Sequence, residues 1–99
     1  MTFQVRYTKQ ARADMRRLFA YLAERDPPLA RKARETIGKG MDLLKEFPFT
    51  CRKASQNTPF LRELVIRFGS SGYIALFEID DANTVTVLAV RHQREDDYS

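Results

Sequence analysis

Three strand-like runs separated by short turns fill the last third of the chain and limit what it can fold into. LRELVIRF at 61–68, YIALFEI at 73–79 and TVTVLAVRH at 84–92 are rich in β-branched and aromatic residues. GSSG at 69–72 and DDAN at 80–83 are turn sequences of hairpin length. Because turns this short join antiparallel neighbours, the sequence predicts a three-stranded antiparallel meander.

A strand and an amphipathic helix are predicted at the start of the chain. FQVRY at 3–7 alternates apolar and polar residues, and the Thr8 hydroxyl can then accept a hydrogen bond from the first turn of a helix. Apolar residues recur at steps of three and four until the helix ends near Arg25. They are Ala11, Met15, Leu18, Phe19 and Leu22, while Arg12, Arg16 and Arg17 lie mostly off that face.

The DPP sequence at 26–28 ends this helix and begins a second one. A residue before proline avoids the helical region, whereas Pro28 is tolerated in a first helical turn. The second helix ends at Pro48, and its apolar face comprises Ala33, Ile37, Gly40, Met41 and Leu44. Gly40 on that face predicts the close approach of the first helix or of the sheet, and nothing in the sequence explains Gly38.

The order of these elements defines the expected architecture. Residues 47–59 predict a loop with a small basic cluster, Arg52 and Lys53. Strand, helix, helix and three strands then predict an α+β two-layer sandwich formed by a single domain, 1–99. The helical hairpin packs on one face of the sheet and leaves the other face partly open.

Composition excludes several classes of function. No stretch approaches the roughly 20 apolar residues of a membrane span, and the N-terminus lacks the apolar core of a secretory signal, so we expect a cytoplasmic chain. Cys51 has no second cysteine for a disulfide and only one histidine for a zinc site, which makes it incidental. No metal cluster or phosphate-binding glycine loop predicts a cofactor. A net charge of +4 favours anionic partners, either nucleic acid or an acidic protein.

Strand alternation predicts which side chains share a face. In the strand at 61–68, Glu63, Val65 and Arg67 lie opposite Leu64, Ile66 and Phe68. In the last strand, Val85, Val87, Ala89 and Arg91 lie opposite Leu88, Val90 and His92. Alternation thus allows Arg67 and Arg91 to converge on the open face.

The only histidine, His92, opens a polar C-terminal segment and permits two interpretations. An imidazole can act as acid or base at neutral pH, as attack by an RNA 2′-hydroxyl requires. Groups that could assist are Arg67 or Arg91 at the phosphate and Glu63, Glu95 or Tyr98 in a second proton transfer. Alternatively His92 caps the strand end through hydrogen bonds within the fold, and Asp96 and Asp97 would repel a phosphate.

Three stretches in order carry a family resemblance: FQVRYTKQARADMRRLFAYL, MDLLKEFPF, and LRELVIRFGSSGYIALFEIDDANTVTVLAVRHQREDDY. Together they span nearly the whole chain and resemble the RelE/ParE superfamily of type II toxin–antitoxin toxins. The ending VLAVRHQREDDY is similar to the ParE branch. The resemblance implies a growth-inhibiting toxin that a cognate antitoxin binds and silences in a hetero-oligomer.

The two branches of that family imply different mechanisms on one scaffold. A RelE-like toxin would be a ribosome-dependent mRNA endoribonuclease, and a ParE-like toxin would poison DNA gyrase by direct binding. Lysine is absent after Lys53, so the dense basic platform of the nucleases is not evident. We therefore expect a gyrase inhibitor, with the nuclease as the alternative and a relic that only binds its antitoxin as a third possibility.

The resemblance also assigns candidate residues. Contacts to the target are expected from Arg67, Arg91, His92, Arg94, Glu95 and Tyr98. In the nuclease alternative, His92, Arg67, Arg91 and Tyr98 would be catalytic. Independently, an apolar strip between helix and sheet with arginines at its edge suits an acidic segment that folds on binding, so Arg16 and Arg17 are expected antitoxin contacts.

Overall fold

The protein, described by a computed structural model over residues 2–94, consists of two helices packed on a five-stranded sheet. Its elements are β1 (Gln4–Tyr7), α1 (Lys9–Arg25), α2 (Pro27–Glu46), a 3₁₀ turn (Pro48–Thr50), β2 (Arg52–Lys53), β3 (Leu61–Phe68), β4 (Ser71–Ile79) and β5 (Thr84–His92). The strand order is β1-β5-β4-β3-β2, with β1 parallel to β5 and the other pairs antiparallel. The predicted α+β sandwich, helical hairpin and meander are confirmed. Neither described helix combines the length and apolarity that a membrane crossing requires.

Two capping residues set the geometry of the helical hairpin. The Thr8 hydroxyl accepts a hydrogen bond from the Ala11 N–H at 3.0 Å, as predicted. Asp26 alone separates the helices: its N–H donates to the Leu22 carbonyl at 2.7 Å and its carboxylate accepts from the Leu29 N–H at 3.2 Å. With both caps on one residue, the chain reverses without a linker.

The core lies between the helices and one face of the sheet. Its fully buried side chains include Leu44, Phe77, Val85, Val87 and Val90. Gly40 of α2 faces β3, where an added Cβ would meet the Ile66 side chain at 2.9 Å. The predicted close approach at Gly40 is therefore confirmed, and the sheet is the element that approaches.

The predicted loop at 47–59 contains structure that the sequence did not indicate. Arg52 and Lys53 form the edge strand β2, paired with Glu63 and Arg62. The Arg62 side chain holds this region by donating to the carbonyls of Phe49, Cys51 and Pro59 at 3.1, 2.8 and 2.8 Å. The loop prediction was therefore wrong at Arg52 and Lys53. A strand of two residues is too short to show the alternation of apolar and polar residues by which strands are predicted.

The turn between β3 and β4 is shorter than predicted. Ser71 and Gly72 belong to β4, and Ser71 pairs with Phe68, which leaves two residues in the turn. Gly69 has φ of +62°, a conformation that glycine adopts without strain. A Cβ at Gly72 would collide with the backbone of β3. Gly69 thus permits the turn, and Gly72 permits the close approach of β4 to β3. The sequence prediction had placed both glycines in a four-residue turn.

A β-bulge in β5 changes which residues face the helices. Ala89 pairs with Leu76 but Val87 pairs with Phe77, so Leu88 is an extra residue. Two groups hold this region: the hydroxyl of Thr8, the N-cap of α1, donates to the Leu88 carbonyl at 2.9 Å, and Asp14 of α1 accepts from the Val90 N–H at 2.9 Å.

The face prediction for this strand was consequently wrong. Val85 and Val87 are buried in the core together with Val90, although strict alternation placed Val90 opposite them. His92 follows Val90 onto the helix side, whereas Arg91 emerges on the open face. The bulge therefore puts His92 on the helix side of the sheet together with Val85 and Val87, and it puts Arg91 on the open side.

Candidate functional site

A cavity of about 700 Å³ opens between the helices and the end of the sheet. We call it the helix–sheet cavity. Its walls come from α1, the start of α2, the β3–β4 turn and the end of β5, and its side chains include Leu18, Tyr21, Leu22, Leu29, Phe68 and Tyr73. Arg17 and Arg94 line it too, and no described lining residue is acidic. The cavity is thus an apolar pocket with a positive edge, of the kind the sequence predicted between helix and sheet.

His92 lies in this cavity with contacts on three sides. Its Nε2 is 3.0 Å from the Ser71 Oγ, and its Nδ1 accepts a hydrogen bond from the Arg94 N–H at 3.1 Å. Since Nδ1 accepts, the neutral ring carries its proton on Nε2 and can donate to Ser71. The ring also meets Tyr73 edge to face, with centroids 5.5 Å apart.

These contacts match the interpretation of His92 as a strand cap. Burial raises the pKa of Tyr73, which keeps that phenol neutral beside the imidazole. Ser71 and Tyr73 were not predicted as partners of His92, because the pairing depends on where the β3–β4 turn begins. A two-residue turn, had it been assigned from Gly69, would have placed Ser71 near the end of β5.

The open face of the sheet carries a separate charged cluster centred on Glu63. Its carboxylate accepts from Arg52 at 3.1 Å and from Arg91 at 3.3 Å, and the Glu63 side chain is only 17% exposed. Arg67 lies on the same face, two positions beyond the exposed Val65. Arg67 and Arg91 therefore share the open face, as predicted, but a carboxylate is bound to Arg91.

The two arginines predicted to bind an antitoxin point to different sides of α1. Arg17 lines the helix–sheet cavity, whereas Arg16 lines a groove between α1 and α2 on the outer surface. Successive helical residues are about 100° apart, which is enough to separate them. Of the other candidates, Arg94 lines the cavity, and Glu95 and Tyr98 lie outside the described residues.

No arrangement for a metal ion is found within residues 2–94, where no three histidine, cysteine, aspartate or glutamate side chains cluster. Cys51 is buried, and burial raises the pKa of its thiol despite the nearby Arg62. A buried protonated thiol is a poor nucleophile. Within this part of the chain the one imidazole is that of His92, which lies in the helix–sheet cavity.

Comparison with known proteins identifies the family. A family model described as the ParE toxin of the type II toxin–antitoxin system parDE matches residues 5–97. Toxin RelE1 of Caulobacter vibrioides is 34% identical over 79 residues, covering 80% of this chain and 82% of the relative. Toxin RelE3 of the same organism is 30% identical over 86 residues, covering 87% and 89%.

Solved structures show the same fold. The chromosomal ParDE toxin–antitoxin system from P. aeruginosa contains a chain that superposes with a TM-score of 0.73 at 18% identity, covering 92% of this chain and 96% of that one. A chain of the RelBE2 toxin–antitoxin complex from Mycobacterium tuberculosis gives 0.60 at 23% identity, with coverage of 94% and 100%. Fold and relatives together define a toxin of a type II toxin–antitoxin system in the RelE/ParE superfamily. Within that class, the chain belongs to the ParE toxin family.

Proposed function

We propose that this toxin inhibits DNA gyrase by direct binding, performs no chemistry of its own, and is neutralised by a cognate antitoxin. The observation that carries the proposal is the position of Glu63 between Arg52 and Arg91. A nuclease needs unopposed positive charge where the scissile phosphate lies. The Glu63 carboxylate would repel a phosphate on the open face, and it already binds the guanidinium groups of Arg52 and Arg91.

The separation of His92 from the open-face arginines supports the same conclusion. His92 faces the helix–sheet cavity, and Arg91 faces the opposite side, where it pairs with Glu63. An acid–base group and its phosphate-binding partner must reach the same substrate atoms. This arrangement suits protein contacts better than one catalytic set. His92 would contact the target on the helix side of the sheet, and Arg67 and Arg91 would contact it on the open face.

The alternative is a RelE-like mRNA endoribonuclease, and one finding favours it specifically. The two curated relatives at 34% and 30% identity carry the name RelE. Arg52, Lys53 and Arg67 lie on or beside the open face and could bind RNA if Glu63 were neutralised on the ribosome. In that case His92 would be the acid or base, Arg67 or Arg91 would bind the phosphate, and Tyr98, which lies outside the described residues, would be a further catalytic candidate.

A paired assay separates the two functions. Purified toxin is titrated into a gyrase supercoiling reaction and, in parallel, into a ribosome reaction programmed with mRNA. We expect loss of supercoiling, accumulation of cleaved DNA and intact mRNA. Codon-positioned mRNA cleavage with gyrase unaffected would refute the proposal.

Two variants sharpen this assay. Glu63→Gln removes the carboxylate charge with little change of shape, and it should leave gyrase inhibition in place without creating RNA cleavage. His92→Ala removes a proposed target contact, so it should weaken gyrase inhibition, and circular dichroism melting separates that loss from any loosening of the cavity wall. A nuclease would instead lose mRNA cleavage in His92→Ala and cleave faster in Glu63→Gln.

For the antitoxin, we propose the helix–sheet cavity as the docking place. An acidic segment with apolar side chains would fill it between Tyr21 and Phe68, with its carboxylates toward Arg17 and Arg94. Such a segment would cover His92, so the antitoxin would silence the toxin by occupying target contacts. Arg17→Glu is expected to weaken the complex by about tenfold, measured by calorimetry at two salt concentrations. Unchanged affinity at both concentrations would exclude this placement.

A further inference from the structure

Three exposed phenylalanines lie at the 3₁₀ turn and at the start of β3. Phe47, Phe49 and Phe60 are 57%, 52% and 54% exposed, although folding normally buries phenylalanine. The rings of Phe49 and Phe60 meet edge to face with centroids 6.4 Å apart, and Phe47 directly precedes the turn that contains Phe49. We call these three residues the aromatic patch. Half-exposed, they present roughly 300 Å² of apolar surface, a size that on a monomer often marks an interaction site.

Arg62 holds the aromatic patch in a fixed shape. Its guanidinium lies over the Phe49 ring at 5.4 Å, and it donates to the carbonyls of Phe49 and of Pro59, the residue before Phe60. The Phe60 carbonyl accepts from the Ile79 N–H at 2.8 Å. Side chains that are already ordered lose little conformational entropy on binding. Ordered aromatic side chains beside an arginine are typical of the residues that dominate a protein interface.

The chain around the aromatic patch is basic. Residues 47–62 contain Arg52, Lys53 and Arg62 and no acidic residue. Lys53 is exposed, and Arg52 pairs with Glu63 at the open face. A partner that covers the patch would therefore present an apolar surface with acidic residues at its edge.

The length of β3 separates the aromatic patch from the helix–sheet cavity. Phe60 directly precedes this strand, and Phe68 at its end lines the cavity, a separation of roughly 25 Å along the strand. The antitoxin segment proposed for the cavity therefore does not need the patch. Arg52, which follows the 3₁₀ turn, instead joins the patch to the open face, where Glu63 binds both Arg52 and Arg91. The patch is thus continuous with a surface that we assign to the target.

Two other occupants fit the aromatic patch less well. A second copy of this chain would bring two basic patches of roughly 300 Å² together, whereas a stable dimer buries about 800 Å² on each partner. A single-stranded nucleic acid stacks its bases on open ring faces. Arg62 covers one face of the Phe49 ring, and Phe60 meets that ring edge to face. A pocket in a protein accepts aromatic side chains without an open ring face.

We propose that the aromatic patch anchors the toxin to the protein that it inhibits, in an apolar pocket of that protein with carboxylates at its edge. Phe49 and Phe60 fill the pocket, and Lys53 lies toward the carboxylates. This inference rests on the proposed function, which identifies the protein as DNA gyrase. The patch adds a contact region to those formed by His92 and by the open-face arginines.

Removal of the paired rings tests the anchor. Full-length toxin carrying Phe49→Ala and Phe60→Ala is compared with toxin carrying Phe49→Leu and Phe60→Leu, which keeps apolar side chains at both positions. Surface plasmon resonance measures gyrase affinity, and the supercoiling reaction measures inhibition. We expect a loss of affinity of at least about tenfold for the alanine variant and of less than about threefold for the leucine variant. Thermal melting and antitoxin affinity are measured for each variant, because a merely structural role would lower both.

Lys53→Glu tests the acidic edge of the pocket separately. Reversal of this exposed charge should slow association with gyrase by about threefold or more at low salt, and the effect should shrink at high salt. Lys39→Glu is the control, because Lys39 is exposed and lies about two helical turns before Phe47. An equal effect in both variants overturns the charged part of the proposal.

The outcomes separate the anchor from the proposed function. Unchanged gyrase affinity of the alanine variant overturns the anchor and leaves gyrase as the target. Binding of a labelled single-stranded oligonucleotide by wild type that is lost in the alanine variant assigns the patch to nucleic acid and also overturns it. If wild-type toxin does not bind gyrase, the proposed function fails, and growth inhibition on induction of the toxin decides the anchor. Retained inhibition by the alanine variant then overturns it, and lost inhibition with an intact fold supports an anchor on another protein.

Discussion

Gly38 and Gly40 lie two residues apart in α2 and differ in what surrounds them. A Cβ at Gly38 would meet no atom within 4 Å, whereas one at Gly40 would press on Ile66 at 2.9 Å. Replacing Gly38 by alanine should raise the free energy of unfolding by about 1 kcal/mol, because the helix gains propensity without a clash. Gly40→Ala should gain less or lose stability, because Ile66 must move. Urea unfolding of both variants measures the difference, and equal changes would contradict the packing argument.

At the scale of single elements, Asp14 of α1 fixes the bulge in β5. Its buried carboxylate accepts from the Val90 N–H at 2.9 Å and from the Gln10 side chain at 2.8 Å. Asp14→Ala should lower the free energy of unfolding by roughly 1–3 kcal/mol, because a buried N–H loses its acceptor. Hydrogen exchange at the Val90 amide should also become faster. Glu24→Ala, an exposed change on the same helix, serves as the control; an equal effect there would remove the specific role of Asp14.

The same elements show how far the sequence could predict this molecule. Thr8 and the DPP sequence act on the nearest turn of chain, so the helix boundaries followed from local chemistry. The bulge did not, because an apolar pattern continues through β5 and the extra residue is selected by contacts from α1, which is distant in sequence. His92 was singled out by its chemistry alone. Its side of the sheet depended on the bulge, so its place in the helix–sheet cavity could not be anticipated.

For the whole molecule, buried phenols predict how stability depends on pH. Burial raises the pKa of Tyr73 and, with Lys45 and Arg12 opposing the effect, that of Tyr7. The unfolded chain then ionises first, from about pH 10, so it binds fewer protons than the folded chain over the interval up to the raised values. Stability contributed by these groups is fully present below about pH 10 and is lost as the pH rises through that interval.

Tyr73→Phe isolates this dependence. We expect the free energy of unfolding of the wild type to fall more steeply between about pH 9 and 11 than that of Tyr73→Phe. Urea unfolding at pH values about one unit apart measures the difference. Tyr21→Phe is the control, because Tyr21 is 57% exposed. If the free energies of unfolding of wild type and Tyr73→Phe depend on pH in the same way, the Tyr73 phenol has the same pKa in the folded and unfolded chains, which would contradict the prediction. A steeper wild-type curve would instead identify the wall of the helix–sheet cavity as a part of the fold that requires a neutral phenol beside His92.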